Sequence, residues 1–450
     1  MGTANHYYIH DAHIVNENKI FQGDVVVQEG KISRILGRNA PVEELTLHPD
    51  TRYVDASGLY LLPGGIDEHV HFREPGLTHK GGFESESRAA VAGGVCSVLE
   101  MPNTVPQTTT RALWEAKQES AAGKMHCNYA FYIGATNHNL EEIKMADPQK
   151  VAGVKLFLGS STGDMLLSDD AVLAQLFQWQ GMPLLAHCES ESLIRTNTEA
   201  AKQQYGEKAP FRIHAQVRSE EACYQSSLRA VQMARKYRAP LHILHVSTQK
   251  ELTLLDGQYP EITMEVCPSY LFFSEKDYDN LGCKIKCNPS IKSEDDRNAL
   301  LQALLENRIY CVGSDHAPHT WEEKNKDYFH SPSGLPMVQH SLLLLLELCH
   351  QQKLKLTQVA NLFSHHPARL LQMADKGFIR EGYDADLVLV NLSETTEVTT
   401  ANSYYHCQWT PLEGRCLHGR IVSTFVNGFR AYHEGGFGEG IHGKPLSFNR

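Results

Sequence analysis

His69 and His71 stand two residues apart, so on an extended strand both imidazoles point to the same face. Two nitrogens converging from one side can bind a metal ion, although the spacing alone equally fits two unrelated polar residues on an edge strand. His187 follows the apolar Pro183-Leu-Leu-Ala, and His245 precedes Val246-Ser247. His242, three residues before His245, falls on the opposite face and reads as a packed or hydrogen-bonded structural histidine. Asp315 sits in Gly313-Ser-Asp-His-Ala-Pro-His. It could bind metal, act as a base, or only cap the next helix, and capping is the default for that residue alone. Lys155 lies inside the apolar run Val151–Leu158. A buried ammonium loses its proton readily, and the neutral amine can react with CO₂ to give a carbamate that bridges two metals. Read alone, Lys155 is better explained as a lysine paired with a carboxylate. Together, His69, His71, His187, His245, a carbamylated Lys155 and Asp315 could hold two zinc ions. Two ions about 3.5–4 Å apart can clamp a hydroxide and polarise a carbonyl. Manganese or cobalt would be acceptable substitutes.

The elements that must position these residues are eight short apolar runs. They are Gly65–Phe72, Val95–Met101, Tyr129–Ala135, Val151–Leu158, Met182–Ala186, Leu241–Val246, Ile262–Cys267 and Ile309–Gly313. Five of them carry or run into one of the candidate ligands. That is the pattern of a (β/α)₈ barrel with a metal centre on its C-terminal rim, where barrel enzymes do their chemistry. Helical spacing follows at Glu84–Ala92, Thr110–Ala122, Glu220–Tyr237, Asp295–Glu306 and Val338–Gln352. Both ends of the chain are β-rich: Tyr7–Ile9, Ala12–Val15, Asp24–Gln28 and Lys31–Leu36 at one, Asp386–Asn391, Arg420–Val426 and Phe429–His433 at the other. Asn427-Gly428 is a hairpin turn. The expected architecture is therefore an α/β barrel over 58–377, with a small β-sandwich built from residues 1–57 and 378–450.

At 450 residues the chain can hold one large domain and a smaller one. The net charge of -11 argues against nucleic acid or an anionic membrane as partner. Eleven cysteines, mostly single within apolar runs, read as buried free thiols in a reducing compartment. Cys283 and Cys287 are too widely spaced for a CxxC zinc site. The N-terminus lacks a signal-peptide pattern, and His6 stands where myristoylation of Gly2 would want Ser or Thr. No apolar run approaches the ~18 residues of a membrane span, and Leu342–Leu348 reads as a buried helix. A cytoplasmic protein is expected. A homodimer stays open.

The same residues carry a resemblance. Pro63-Gly-Gly-Ile-Asp-Glu-His-Val-His-Phe-Arg-Glu-Pro-Gly, Met101-Pro-Asn-Thr, Val154-Lys-Leu-Phe, Ala186-His-Cys-Glu, His245-Val-Ser-Thr and the Asp315 motif look like the amidohydrolase superfamily. Within it they resemble the dihydroorotases most, and Trp409-Thr-Pro-Leu-Glu-Gly is similar to a tail motif of that group. The resemblance implies two zinc ions bridged by carbamylated Lys155. It also implies reversible interconversion of N-carbamoyl-L-aspartate and L-dihydroorotate in pyrimidine synthesis, with Asp315 as general base and acid. Arg73, pointing to the rim from just beyond His71, could pair with the free carboxylate of that substrate. The resemblance implies that Asn103 and His319 complete the carboxylate site, and that Asn288 and the backbone around Gly334 hold the ring. The polar loop His319–Gly334 could fold over the substrate. Allantoinases and dihydropyrimidinases share the metal residues, and a non-catalytic assembly subunit is a further alternative. Lys155 does not separate dihydroorotase from allantoinase.

Overall fold

The computed structural model describes residues 5–38, 47–159, 165–255, 257–440 and 442–450. Met1 and Gly2, on which the myristoylation reading bears, lie outside these. All eight apolar runs are strands or strand ends of a (β/α)₈ barrel. Gly65–Val70, Val95–Glu100 and Asn128–Phe131 pair in parallel. Ile133–Gly134, Val154–Phe157, Leu184–His187, Leu241–Ile243, Ile262–Val266 and Cys311–Val312 form the rest of the wall. The two sets meet at Tyr132, where Ala152 N donates to Phe131 O and Ile133 N to Gly153 O. The wall closes at its rim through the parallel bridge of Val70 with His316, where His71 N donates to His316 O at 2.7 Å. These strands are buried throughout, which explains their continuous apolar composition.

The helices follow local rules. Thr110 caps Arg111–Ala121 and Ser219 caps Glu220–Tyr237, each side chain accepting from a first-turn N–H. Glu220 and Glu221 open the longer helix and Arg235 and Lys236 close it, matching its dipole. Leu342–Leu346 and Leu348 are buried in the helix Ser341–His350.

The β domain is built from both ends of the chain. Leu387–Glu397 lies antiparallel to Tyr60–Pro63, which pairs in parallel with Tyr7–Asn16. Lys19–Gln28 and Lys31–Gly37 continue one side of this sheet; Cys416–Val426, Phe429–His433 and Gly436–Phe437 continue the other. Alternation divides its faces. Leu387 and Leu389 join Ile9, Ile14, Val25, Val27 and Leu61 in a core of the β domain's own, while Val388 and Val390 face the barrel. All eleven cysteines are free thiols and nine are buried. No helix among the described residues is long and apolar enough to cross a membrane.

The last residues leave the β domain and pack under the barrel. Leu446 N donates to Tyr129 O, and the Arg450 guanidinium donates to the carbonyls of Val151, Ala152 and Leu371. Phe448 is buried against a cluster that includes Tyr132, Leu185, Leu244 and Leu371. Phe448→Ala should cost about 3 kcal/mol of stability, the scale of a deleted buried aromatic ring. Urea unfolding followed by circular dichroism measures this, and a loss below about 1 kcal/mol would mean that the floor collapses to fill the space.

Candidate metal centre

The barrel rim brings the candidate residues into one cavity of about 340 Å³. His69, His71, Lys155, His187, His245 and Asp315 line it, as do Arg73, Asn103, Asn288, His319 and Gly334. The strand Gly65–Val70 ends between His69 and His71, Val154–Phe157 carries Lys155, and Leu184–His187 ends on His187. His245 and Asp315 lie just beyond their strands, both with left-handed backbones, φ 41° and 46°. Arg73 also has φ 70°. Such conformations cost roughly 1–2 kcal/mol for a residue other than glycine and are held only by their surroundings. Gly313, before the Asp315 turn, must be glycine for space, because a Cβ there would come within 2.5 Å of Glu265 Oε2.

Asp315 Oδ1 lies 3.3 Å from His69 Nε2 and 3.1 Å from His71 Nε2. Asp315 therefore caps no helix; its carboxylate faces two imidazoles, which corrects the default reading of that residue alone. Burial pushes Asp315 up, but the two histidines outweigh it and hold the carboxyl below its ordinary value. His187 Nδ1 and His245 Nε2 face each other at 2.8 Å. Burial lowers the pKa of all four imidazoles, so each is in the neutral form that a metal requires. The lysine is buried without a carboxylate at ion-pair distance among the described residues, contrary to the simpler reading of the sequence. Burial lowers its pKa to about 8.

The outer nitrogens of three imidazoles are held. Glu265 Oε1 lies 2.9 Å from His69 Nδ1 and also accepts from His245 N at 2.8 Å. Glu189 Oε2 lies 2.9 Å from His187 Nε2 and pairs with Arg218. Asn103 Oδ1 accepts from His71 Nδ1 at 2.7 Å, so its side chain orients a candidate ligand as well as lining the cavity. This is the outer support typical of metal-binding histidines. The donor set thus fits a divalent ion at His69 Nε2, His71 Nε2 and Asp315, with His187 Nδ1, His245 Nε2 and Lys155 as further donors in the same cavity. Glu265, Glu189 and Arg218 had not stood out in the sequence. Glu189, two residues after His187, repeats the alternation of His69 and His71 and could have been found from it.

Arg73 is buried, donates from Nε to Pro318 O at 3.0 Å, and has its Nη2 3.2 Å from His319 Nε2. No carboxylate pairs with it among the described residues; Glu74 pairs with Lys124 instead. Burial lowers the Arg73 pKa to about 10, which leaves it charged at neutral pH. Asn288 presents a buried Oδ1 without a partner. Gly334 has φ 135°, and a Cβ there would meet Ala317 O at 2.5 Å and His319 Nε2 at 3.0 Å. The loop after His319 is tied down. Lys324 Nζ donates to Lys286 O, Pro332 O and Gly334 O at 2.7–2.9 Å, and Lys286 Nζ to Tyr328 O and Ser331 O. In this conformation the loop's two ends, His319 and Pro332–Gly334, line the cavity.

The sequence model described as the amidohydrolase family matches residues 60–429. A dihydroorotase of Methanosphaera stadtmanae is 31% identical over 414 residues, covering 92% of this chain and 93% of its own. An allantoinase of Deinococcus radiodurans is 32% identical over 411 residues, covering 89% and 91%. Among solved structures, the L-hydantoinase (dihydropyrimidinase) of Arthrobacter aurescens superposes with a TM-score of 0.91 at 26% identity, covering 98% and 99%.

Glu265→Gln should keep the fold and weaken metal binding about 10- to 100-fold, the usual effect of removing a ligand's outer partner. Competition with a chromogenic chelator measures this. Unchanged affinity would show that Glu265 does not hold the His69 tautomer.

Proposed function

The chain belongs to the amidohydrolase family and is a hydrolase of the cyclic amide group, and we propose that it is a dihydroorotase. The reaction is reversible ring closure of N-carbamoyl-L-aspartate to L-dihydroorotate, a step of pyrimidine synthesis, in the cytoplasm. The observation that carries this reading is Arg73: a buried guanidinium lining the cavity, with no acid partner among the described residues. Dihydroorotate bears a free carboxylate to meet it, whereas allantoin and dihydrouracil do not. A second reading, allantoinase, rests on the similar identity to the allantoinase of Deinococcus radiodurans.

A zinc pair held by His69, His71, His187, His245, Asp315 and carbamylated Lys155 would supply an acidified water and a Lewis acid for the ring amide carbonyl. Asp315 takes the proton of the attacking water and delivers it to the leaving ring nitrogen. In the direction of ring closure it protonates the departing oxygen instead. Arg73 holds the substrate carboxylate, with His319 and Asn103 beside it. The unpartnered Asn288 Oδ1 accepts from a ring N–H, and the backbone at Gly334 fixes the ring's other edge. Lys155 is poised for carbamylation because its lowered pKa leaves a useful fraction neutral near pH 7–8.

Lys155→Ala should lose most bound zinc, and short carboxylic acids should restore part of the activity. Two ions and full activity in that variant would remove the bridge from the mechanism.

Arg73→Gln should lower kcat/KM for dihydroorotate about a hundredfold or more, since each charged hydrogen bond contributes roughly 1.5–3 kcal/mol. Arg73→Lys should rescue little, because an ammonium cannot reproduce the planar fork. The assay compares wild type and Arg73→Gln on dihydroorotate, dihydrouracil and allantoin. The uncharged rings should be poor substrates and nearly indifferent to the change. Equal loss on all three would make Arg73 structural, and good wild-type turnover of allantoin would favour the second reading.

A further inference from the structure

Below the rim, on the axis side of the same strands, a second group of donors converges that neither the metal pair nor the substrate would use. Cys311 Sγ lies 2.8 Å from Glu68 Oε1 and 3.5 Å from His242 Nε2. The three ligand atoms are all within 4.8 Å of one another. Each residue is at most 1% exposed. They come from three strands, Gly65–Val70, Leu241–Ile243 and Cys311–Val312.

We propose that Glu68, His242 and Cys311 form a separate structural site for a zinc-class divalent ion, buried within the barrel beneath the candidate metal centre. Four observations support it. First, Glu68 sits next to Glu265 and Asp67, so three carboxyl groups are buried together. Second, no cationic side chain pairs with Glu68 or Asp67 among the described residues, Asp67 Oδ2 has no hydrogen-bond partner, and Glu68 shares a hydrogen bond only with other acidic groups, the Glu265 carboxyl and the Cys311 thiol. Buried carboxylates left in this state are costly, and a cation is the usual remedy. Third, the histidine is prepared as a ligand: its Nδ1 is 2.7 Å from Thr263 Oγ1, which leaves Nε2 free to aim at Cys311. Fourth, the sulfur–nitrogen separation fits: a tetrahedral centre with a Zn–S bond of ~2.3 Å and a Zn–N bond of ~2.05 Å places the two about 3.6 Å apart, against the 3.5 Å found here. The 2.8 Å from Cys311 Sγ to Glu68 Oε1 is a thiol–carboxyl hydrogen bond, and the carboxylate would draw back by about 0.7 Å to become a ligand.

The donors also select the ion. One thiolate, one imidazole and one carboxylate suit zinc and exclude magnesium or calcium, which want oxygen alone. Binding would displace the Cys311 thiol proton to solvent and form one metal–sulfur bond. A cavity of about 280 Å³ at the opposite, N-terminal end of the barrel is lined by His242, Pro183, Leu241 and Glu261, and offers a route in. The effect would be structural. Glu68 and Cys311 belong to the first and last strands of the wall, which are joined nearer the rim by the Val70–His316 bridge and the polar contacts of Ser314. An ion here would join them lower down and steady Glu68 against Glu265.

The test does not depend on what the enzyme turns over. The full-length protein is stripped of metal and reloaded with Co²⁺. The rim donors are nitrogen and oxygen only, so a thiolate-to-cobalt charge-transfer band would report a cysteine ligand. Expected is such a band in wild type, lost in Cys311→Ala, weakened in His242→Ala, and kept in Cys267→Ala. Zinc content by mass spectrometry should fall by one ion per chain in Cys311→Ala. Cys267 is the control because its Sγ lies 3.6 Å from Glu265 Oε1, beside His69. No thiolate band in wild type at saturating cobalt would overturn the proposal and leave a proton in place of the ion. A band that follows Cys267 would overturn it as well. The wild-type spectrum decides even if the Cys311 variant does not fold.

Discussion

The structure depends on one buried carboxylate. Glu265 Oε1 meets both His69 Nδ1 and the backbone N–H of His245, so one oxygen fixes a ring on the first strand and a turn after the sixth. It does so from the seventh strand, Ile262–Val266, which lies next to the strand leading to Asp315. Its oxygens are the reason Gly313 cannot carry a Cβ, and so the reason the Asp315 turn begins where it does. A surface ion pair contributes about 1 kcal/mol or less. A fully buried carboxylate with two donors is different, because removing either donor leaves a charge that water cannot reach.

That arrangement explains a division of charge within the cavity. The histidine side is kept neutral by burial, while the rim beyond it holds a charged guanidinium at Arg73. His319 lies beside Arg73, and burial and Arg73 together push its pKa down. A neutral imidazole there can sit beside Arg73 without repulsion and leave the guanidinium's charge uncompensated for a ligand. The wall opposite is rigid for a related reason. Lys324 is fully buried, and three carbonyls surround its ammonium in place of a counter-ion. Its position fixes the Pro332–Gly334 backbone that faces the substrate space.

The barrel strands were legible in the sequence because burial on both faces makes each a short apolar run, and ligands at the ends mark the direction of the rim. Where burial is one-sided the reading weakens. Leu387–Glu397 was read only to Asn391, since its second half, Leu392–Glu397, is mostly exposed and polar yet still pairs with Cys416–His418. The helix Glu191–Tyr205 went unread because only Ile194 and Ala201 are buried on it, so it has no apolar stripe. Tyr7–Ile9 and Ala12–Val15 proved to be one strand, broken in register by a bulge between Ile9 and Ala12.

The site was legible to a different depth. Residues that touch the cavity announce themselves, because an imidazole or lysine inside an apolar run needs a reason to be there. Residues that hold them do not. Glu265 is a single acid inside an apolar run and Glu189 repeats the alternation of His69 and His71, but neither local sign names the side chain it holds. Their role exists only once the fold sets Glu265 beside His69, a partner 196 residues away. Arg218 reaches Glu189 in the same way, across 29 residues. Asn103 shows the limit most plainly. Its place in the cavity could be expected from the sequence, but its hydrogen bond to His71 could not, and that bond gives one side chain two tasks. Any substitution of Asn103 therefore disturbs His71 along with whatever lies in the cavity, so its effect on substrate alone cannot be read without measuring metal content beside it.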